Sequence, residues 1–222
     1  MLYMRKNSTA TMNPSKPEKL RKEVEDSRPT PTAIAEAIKT AHAELAGNKA
    51  GGVAAYIPAL AQVDADQWGA AFCDASGVIT KAGDASTVFP LEGCGVALTY
   101  CAARMIRGDA VHKHVGYEAN GGPFNEIKLN DRRQPHNPFV NTGAILVASL
   151  IEPEKEAAER FEAVMNFFRA AAKPGTLGFD QAVFESEASI GDRNTVLAYF
   201  MREQCAYEGT QTDAQIRGHL DL

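Results

Sequence analysis

The side chains in this sequence that could bind a metal or act as nucleophiles include four cysteines and five histidines. The cysteines are Cys73, Cys94, Cys101 and Cys205. They form no Cys-x-x-Cys pair, and no combination of cysteine and histidine has the spacing of zinc ligands. We therefore expect no metal site and no cofactor. Free thiols of this kind are typical of a reducing compartment.

The composition excludes several other classes of protein. The 222 residues include 23 Lys and Arg against 28 Asp and Glu, which gives a formal net charge of −5. A mixed, mildly acidic chain lacks the clustered positive charge that general nucleic-acid binding requires. No apolar run approaches the roughly 20 residues that cross a bilayer, so we expect no membrane span.

The first 29 residues differ in character from the rest of the chain. They are polar throughout and contain no apolar stretch like that of a secretory signal. This pattern predicts a disordered tail. A transit segment is the alternative, because the first 17 residues contain three basic side chains and no acidic one. The expected location is the cytoplasm, with the mitochondrial matrix or another organelle as the alternative.

The elements that would position a site can be predicted from periodicity and turn residues. Ile34, Ile38, Ala41 and Leu45 recur at helical spacing after a Thr-Pro start. Two strands joined by a tight turn are predicted over 69–74 and 78–80, followed by a helix over 91–107.

The second half of the chain is predicted to contain a long loop and more helices. Residues 111–138 are rich in turn residues, and a long loop in a compact domain is often functional. Helices are predicted over 140–151, 153–172 and 193–205, with an acid-rich turn region between the last two. The pattern indicates a helix-rich α+β fold with one early hairpin.

Several short blocks resemble the signature sequences of the glutaminase family, in that family's order and spacing. They are Tyr56-Ile57-Pro58, Gly83-Asp84, Phe124-Asn125, Pro135-His136-Asn137-Pro138, Asn141-Thr142-Gly143-Ala144-Ile145 and Gly191-Asp192-Arg193-Asn194. The resemblance is strongest to the animal kidney and liver types. It implies a partial β-lactamase- or transpeptidase-like α+β domain, with a small antiparallel sheet, over residues 30–222. Because the family continues well past the block matching Glu208–Thr210, the resemblance also implies a C-terminally truncated domain.

The catalytic pattern of the family is missing from this sequence. Glutaminases use a serine nucleophile in the pattern Gln-Ser-x-x-Lys, in which one helical turn brings the lysine amine beside the hydroxyl. The matching block places Gly93 at the serine position and Val96 at the lysine position. Neither residue can attack an amide or move a proton, so the resemblance implies a pseudoenzyme.

Cys94 could replace the lost nucleophile, because the start of a helix lowers the pKa of a thiol. One step along a helix, however, turns a side chain by about 100° away from the original pocket. No histidine or lysine lies within one turn to act as its base. A small, buried structural cysteine is the expected role of Cys94.

The residues that hold the substrate in the family are better preserved. By the resemblance, Tyr56, Asn141, Glu187 and Asn194 occupy positions that contact glutamine. A carboxylate suits an α-ammonium group, and asparagine amides can bind a carboxylate or an amide. The alternative is structural, with Asn141 capping a helix and Glu187 and Asn194 stabilising a turn.

The expected function is that of a glutaminase-like protein without activity, where the parent reaction converts L-glutamine and water to L-glutamate and ammonia. It would act as a binding or structural subunit, with L-glutamine or L-glutamate as ligand. A protein partner or homo-oligomer is expected, since a shortened domain leaves apolar surface exposed. One alternative is an active amidohydrolase that uses Cys94 or is completed by a partner chain. Another is a gene fragment without a stable product.

Overall fold

The computed structural model describes residues 29–204, which form two compact units. The first unit contains residues 29–51 and 64–87, and the second contains residues 52–63 and 88–204. The polar tail and the segment from Cys205 onward, including the Glu208–Thr210 block, lie outside the described residues. The prediction of a single domain over 30–222 therefore stays a prediction.

The first unit consists of one helix and one hairpin. Helix α1, Pro31–Leu45, begins with proline at its first position, and the Thr30 hydroxyl accepts a hydrogen bond from the Ala33 amide at 3.1 Å. Strands β1, Gly69–Cys73, and β2, Ile79–Gly83, pair antiparallel. These elements confirm the predicted helix and hairpin, although β2 extends three residues beyond the predicted strand.

His42 and Trp68 connect α1 to the hairpin. Their rings stack with centroids 5.7 Å apart, and the indole Nε1 donates to the His42 carbonyl at 2.9 Å. Gly83 lies beside them at a φ of 57°, where a Cβ atom would come within 2.3 Å of the Trp68 carbonyl oxygen. Only glycine fits here without displacing the backbone, because both the conformation and the space exclude a side chain.

The second unit contains five α-helices and the buried core. The helices are α2 (Cys94–Arg107), α3 (Asn141–Ser149), α4 (Ala157–Ala171), α5 (Gln181–Ala188) and α6 (Asp192–Gln204). Two short 3-10 segments lie at Leu60–Gln62 and Gly108–Lys113. Helix α3 is central, since seven of its nine residues are buried. Such a helix is apolar on all sides because every side faces protein.

Two arginines bind the carbonyl groups at the C-terminal end of α3. Arg160, which is 1% exposed, donates to the carbonyls of Ala148 and Ile151 at 3.0 Å each. Arg107 donates to the Leu150 carbonyl at 2.7 Å. Helix ends leave such carbonyls without intrahelical donors, and positive charge there also suits the helix dipole. The two side chains thus stabilise a helix end that is buried away from water.

Two sequence predictions in this unit are wrong. The acid-rich segment predicted as a turn contains helix α5, which begins where the Asp180 carboxylate accepts from the amides of Ala182 and Val183. Helix α4 begins at Ala157 rather than Pro153, because Glu156 and Glu159 form a capping box there. The predicted helices over 91–107, 140–151 and 193–205 are confirmed within a few residues at their ends. None of the helices in residues 29–204 is long and apolar enough to span a bilayer.

Candidate functional site

The start of helix α2 contains the position expected for a nucleophile. Gly93 is the N-cap directly before the first residue of the helix, and a Cβ atom built there would have no neighbour within 4 Å. Val96 follows one turn later and is half-buried. Open space therefore lies where a serine side chain would project, and no hydroxyl or amine is present at either position.

Cys94 differs from its expected structural role. It is the first residue of α2 and its side chain is exposed, so the prediction of a small buried cysteine is wrong. The reason is its place at the helix start, where it is not covered by the core that packs against Ala102 and Ala103 further along the helix. Cys73 and Cys101 are also exposed free thiols.

Tyr56, Glu92 and Glu187 influence one another electrostatically. Partial burial, and then the charges of Glu92 and Glu187, raise the pKa of the Tyr56 phenol. Partial burial raises the pKa of Glu92 as well, and the negative charge of Glu187 adds to this effect. A hydrogen bond of 3.0 Å from the Ala59 amide to the Ser186 hydroxyl holds the segment after Tyr56 against helix α5.

Asn141 and Asn194 form a second group. The Asn141 side-chain amide donates to the Asn194 carbonyl oxygen at 2.9 Å. Asn141 is the first residue of α3, and Val140 is the cap, so the capping role for Asn141 is not observed. Glu187 and Asn194 lie in helices α5 and α6 rather than in a turn. Beyond this bond, Asn141 has one N–H and its side-chain oxygen, and Asn194 has both N–H groups, to offer another partner.

The Phe124-Asn125 block connects these helix starts. The Asn141 backbone amide donates to the Phe124 carbonyl at 2.8 Å. The Arg193 guanidinium donates to the Asn125 carbonyl at 3.0 Å. The loop therefore binds the first turns of both α3 and α6, and it keeps the two asparagines in place.

Residues 135–138 also have a positioning role. The Asn137 carboxamide oxygen accepts from the amides of Phe139 and Val140 at 2.9 and 3.1 Å, directly before α3. Gly143 permits this close approach, since a Cβ atom there would overlap the Asn137 carbonyl. These contacts hold the backbone in place directly before α3, where Asn141 is the first residue.

Sequence reasoning missed Glu92 as a member of the site. It is absent from the four predicted binding residues, yet its charge acts on Tyr56 and is itself influenced by Glu187, which are two of them. The signal that could have identified it is its place directly before Gly93, where the family pattern has glutamine rather than glutamate.

A cavity beside the long loop is lined by none of the four predicted residues. It has a volume of about 540 Å³ and is lined by His112, Tyr117, Glu118, Lys128, Arg132 and His136, among others. Within residues 29–204, no three His, Cys, Asp or Glu side chains converge as a metal ion would require.

Comparison with known proteins gives a consistent result. The family model for glutaminases matches residues 51–217. The chain is 41% identical over 181 residues to the mitochondrial liver isoform of glutaminase from Rattus norvegicus, which covers 81% of this chain and 30% of that protein. It is 39% identical over 154 residues to a glutaminase from Methylobacterium radiotolerans, covering 68% of this chain and 50% of that protein.

Solved structures agree with the sequence matches. Mglu in its glutamate form is 32% identical and superposes with a TM-score of 0.74, over 87% of this chain and 44% of that one. The probable glutaminase ybaS, at 24% identity, shares the fold with a TM-score of 0.77 over 87% of this chain and 62% of that one. The chain thus spans between 30% and 62% of the length of the relatives named above. On its ordered motifs, its fold and the match over residues 51–217, the chain belongs to the glutaminase family.

Proposed function

We propose that this chain is a glutaminase-family protein that has lost hydrolytic activity and acts by binding. The observation that carries the proposal is the start of α2, where Gly93 and Val96 replace the serine and lysine of the family pattern. Removal of the nucleophile from such a unit lowers turnover by about 10⁶. The remaining polar residues of the site can form hydrogen bonds to a ligand. They cannot replace the covalent attack that the serine of the family pattern carries out.

The proposed ligand is L-glutamine, L-glutamate or a close analogue. Tyr56 and Glu187 supply a phenol and a carboxylate, and Asn141 and Asn194 supply amide groups from two adjoining helix starts. A carboxylate can bind the α-ammonium group of an amino acid, and amides can bind its α-carboxylate. Support comes from Mglu, a related protein whose structure was solved in a glutamate form.

A protein partner or a second copy of the chain is part of the same proposal. The second unit exposes several large apolar side chains, among them Val88 at 93%, Phe89 at 69% and Met105 at 77%. Apolar surface of this kind is characteristic of interaction sites. The proposed location is the cytoplasm, with the mitochondrial matrix as the alternative, since the relatives include a mitochondrial isoform.

The first test measures ammonia release from L-glutamine by the purified chain, with an active glutaminase as positive control. We expect no release above the blank without enzyme. The alternative function, an amidohydrolase that uses Cys94, is favoured by the exposure of that thiol at the start of α2. Ammonia release that is abolished by Cys94→Ala and retained by Cys73→Ala would establish this alternative and overturn the proposal.

A further inference from the structure

The Asn120-Gly121 pair lies in the long loop, shortly before the Phe124-Asn125 block. It is the one place in the sequence where a glycine follows an asparagine. Gly121 is exposed, its φ is 67°, and a Cβ atom built there would have no neighbour within 4 Å. Because glycine has no side chain, its backbone nitrogen can reach the carbon of the preceding carboxamide and close a five-membered ring without hindrance.

The Asn120 carboxamide is held toward the residues that follow it. Its Nδ2 atom donates to the carbonyls of Gly122 and Pro123, at 3.0 and 3.1 Å. The Gly121 nitrogen, which would attack the carboxamide, lies in the same direction along the chain. In the described part of the chain, the Gly121 N–H donates to no protein acceptor, so its proton can exchange with water.

Lys128 acts on the peptide group that joins Asn120 to Gly121. Its ammonium donates to the Asn120 carbonyl oxygen at 3.4 Å. That oxygen and the Gly121 N–H belong to one peptide unit, in which resonance couples the oxygen to the nitrogen. A positively charged donor at the oxygen draws electron density from the nitrogen and makes the N–H more acidic. The deprotonated nitrogen, which is the nucleophile, therefore forms more readily.

We propose that Asn120 is a site of spontaneous deamidation, which Lys128 promotes. The Gly121 nitrogen gives its proton to hydroxide and attacks the Asn120 carboxamide carbon. A new C–N bond forms, the bond from that carbon to Nδ2 breaks, and Nδ2 leaves as ammonia after taking a proton from water. Water then opens the resulting succinimide at either of its carbonyls, which gives aspartate or isoaspartate without any oxidant or reductant.

The modification would change the loop that leads into the candidate site. It replaces the two N–H groups that bond Gly122 and Pro123 with a carboxylate. The next residues are the Phe124-Asn125 block, which binds the first turns of α3 and α6. The inference goes beyond the proposed function and does not depend on ligand binding.

Peptide mapping by mass spectrometry tests the modification on the full chain, kept folded at about pH 7.5. Cleavage after Glu118 and Glu126 releases residues 119–126, a peptide that contains Asn120 and no lysine. Asn125 in the same peptide is an internal control, because it precedes Glu126, whose side chain hinders ring closure. The Asn120→Asp variant supplies the aspartate peptide as a reference, so isoaspartate is recognised as a separate isomer of the same mass.

The role of Lys128 is tested with Lys128→Gln, which removes the ammonium. Lys113→Gln is the matched control, because it removes an exposed lysine near the start of the same loop that does not bond Asn120. Each variant is incubated both folded and unfolded in guanidinium chloride. Circular dichroism confirms the folded state before and after incubation.

We expect the folded chain to accumulate isoaspartate and aspartate at residue 120, while Asn125 stays intact. Lys128→Gln should slow this conversion about threefold, the effect of one exposed charge interaction, and only in the folded chain. Lys113→Gln should leave the rate unchanged. If Asn120 stays intact in the folded chain while the unfolded chain converts, the fold protects the pair and the inference is wrong. The inference is equally wrong if aspartate forms without isoaspartate, or if Lys128→Gln does not slow the conversion.

Discussion

At the scale of single residues, Glu92 combines a place in the candidate site with a cost to stability. Its backbone adopts a φ of 45°, in the left-handed region that residues other than glycine rarely occupy. Its carboxylate is partly desolvated and lies near Glu187, and both effects disfavour the ionised form. Costs of this kind are tolerated at positions where a side chain has a role other than stability.

The pKa of Glu92 makes a specific prediction about stability. Because its folded pKa lies above the ordinary value of 4.5, its contribution is most favourable below that pH and is lost as the pH rises through the folded pKa. We therefore expect Glu92→Gln to raise the melting temperature at pH 7. At about pH 3.5, where glutamate is protonated in both states, the difference should vanish.

Thermal denaturation at both pH values, with Glu185→Gln as control, measures this effect. The control should show no such pH-dependent gain, because Glu185 is exposed and accepts a hydrogen bond from Gln181 on its own helix at 2.7 Å. A Glu92→Gln variant that is less stable than the original chain at pH 7 would show that the carboxylate stabilises the fold instead.

At the scale of elements, Arg160 determines how helix α3 ends. Burial lowers the pKa of its guanidinium to about 10, so the side chain remains charged at neutral pH. A buried charge is favourable only when hydrogen bonds replace its lost hydration. The carbonyls of Ala148 and Ile151 provide them, and the arginine in turn satisfies two buried acceptors.

We expect Arg160→Met to lower the free energy of unfolding by about 3 kcal/mol, because it leaves buried carbonyl groups without a donor. Arg169→Met, on the exposed side of the same helix, removes an ion pair with Glu162 and should change stability by less than about 0.5 kcal/mol. Urea denaturation of both variants gives the comparison. Equal changes in the free energy of unfolding would show that the buried hydrogen bonds of Arg160 do not contribute more to stability than the exposed ion pair of Arg169.

An element could be predicted from the sequence when the residues that determine it lie close together along the chain. Helix α1 and the hairpin follow from apolar spacing, Thr30-Pro31 and turn residues near Asp74, all readable within a few positions. Helix α5 was missed because its sequence is acidic and weakly patterned. It is fixed by the Asp180 cap and by a contact between Ser186 and Ala59, which are 127 residues apart.

The same distinction applies to the candidate site. Family blocks identified Tyr56, Asn141, Glu187 and Asn194, and their proposed roles rest on that resemblance. The pairing of Asn141 with Asn194, and the closeness of Glu92 to Glu187, depend on how α2, α3, α5 and α6 pack together. Contacts between helices distant in sequence cannot be derived from the periodicity of each one.

At the scale of the whole molecule, the two units differ sharply in how much they bury. Within residues 29–204, all side chains of the buried core lie in the second unit, and none of the residues of α1 is buried. The described part of the first unit is held by the hairpin ladder and by the His42–Trp68 contacts. Segments with few buried apolar contacts open at lower free energy than a packed core.

Hydrogen exchange should reveal this difference directly. Helices α1 and α4 both have fifteen residues, but α4 buries Arg160, Val164 and Met165 whereas α1 buries none. After correction for intrinsic exchange rates, we expect the amides of α1 to exchange at least tenfold faster than those of α4. The reason is that local opening of α1 costs less free energy than local opening of α4. Equal protection of the two helices would mean that the chain unfolds as one cooperative body.

The open space at Gly93 also bears on the history of this protein. In many proteins, restoring a lost catalytic group requires the surrounding side chains to repack, which closes the path back. Here a serine could return without a steric conflict within 4 Å of its Cβ atom. Under the proposed loss of activity, the helix start is sterically ready for the return of a serine, and we expect Gly93→Ser to fold.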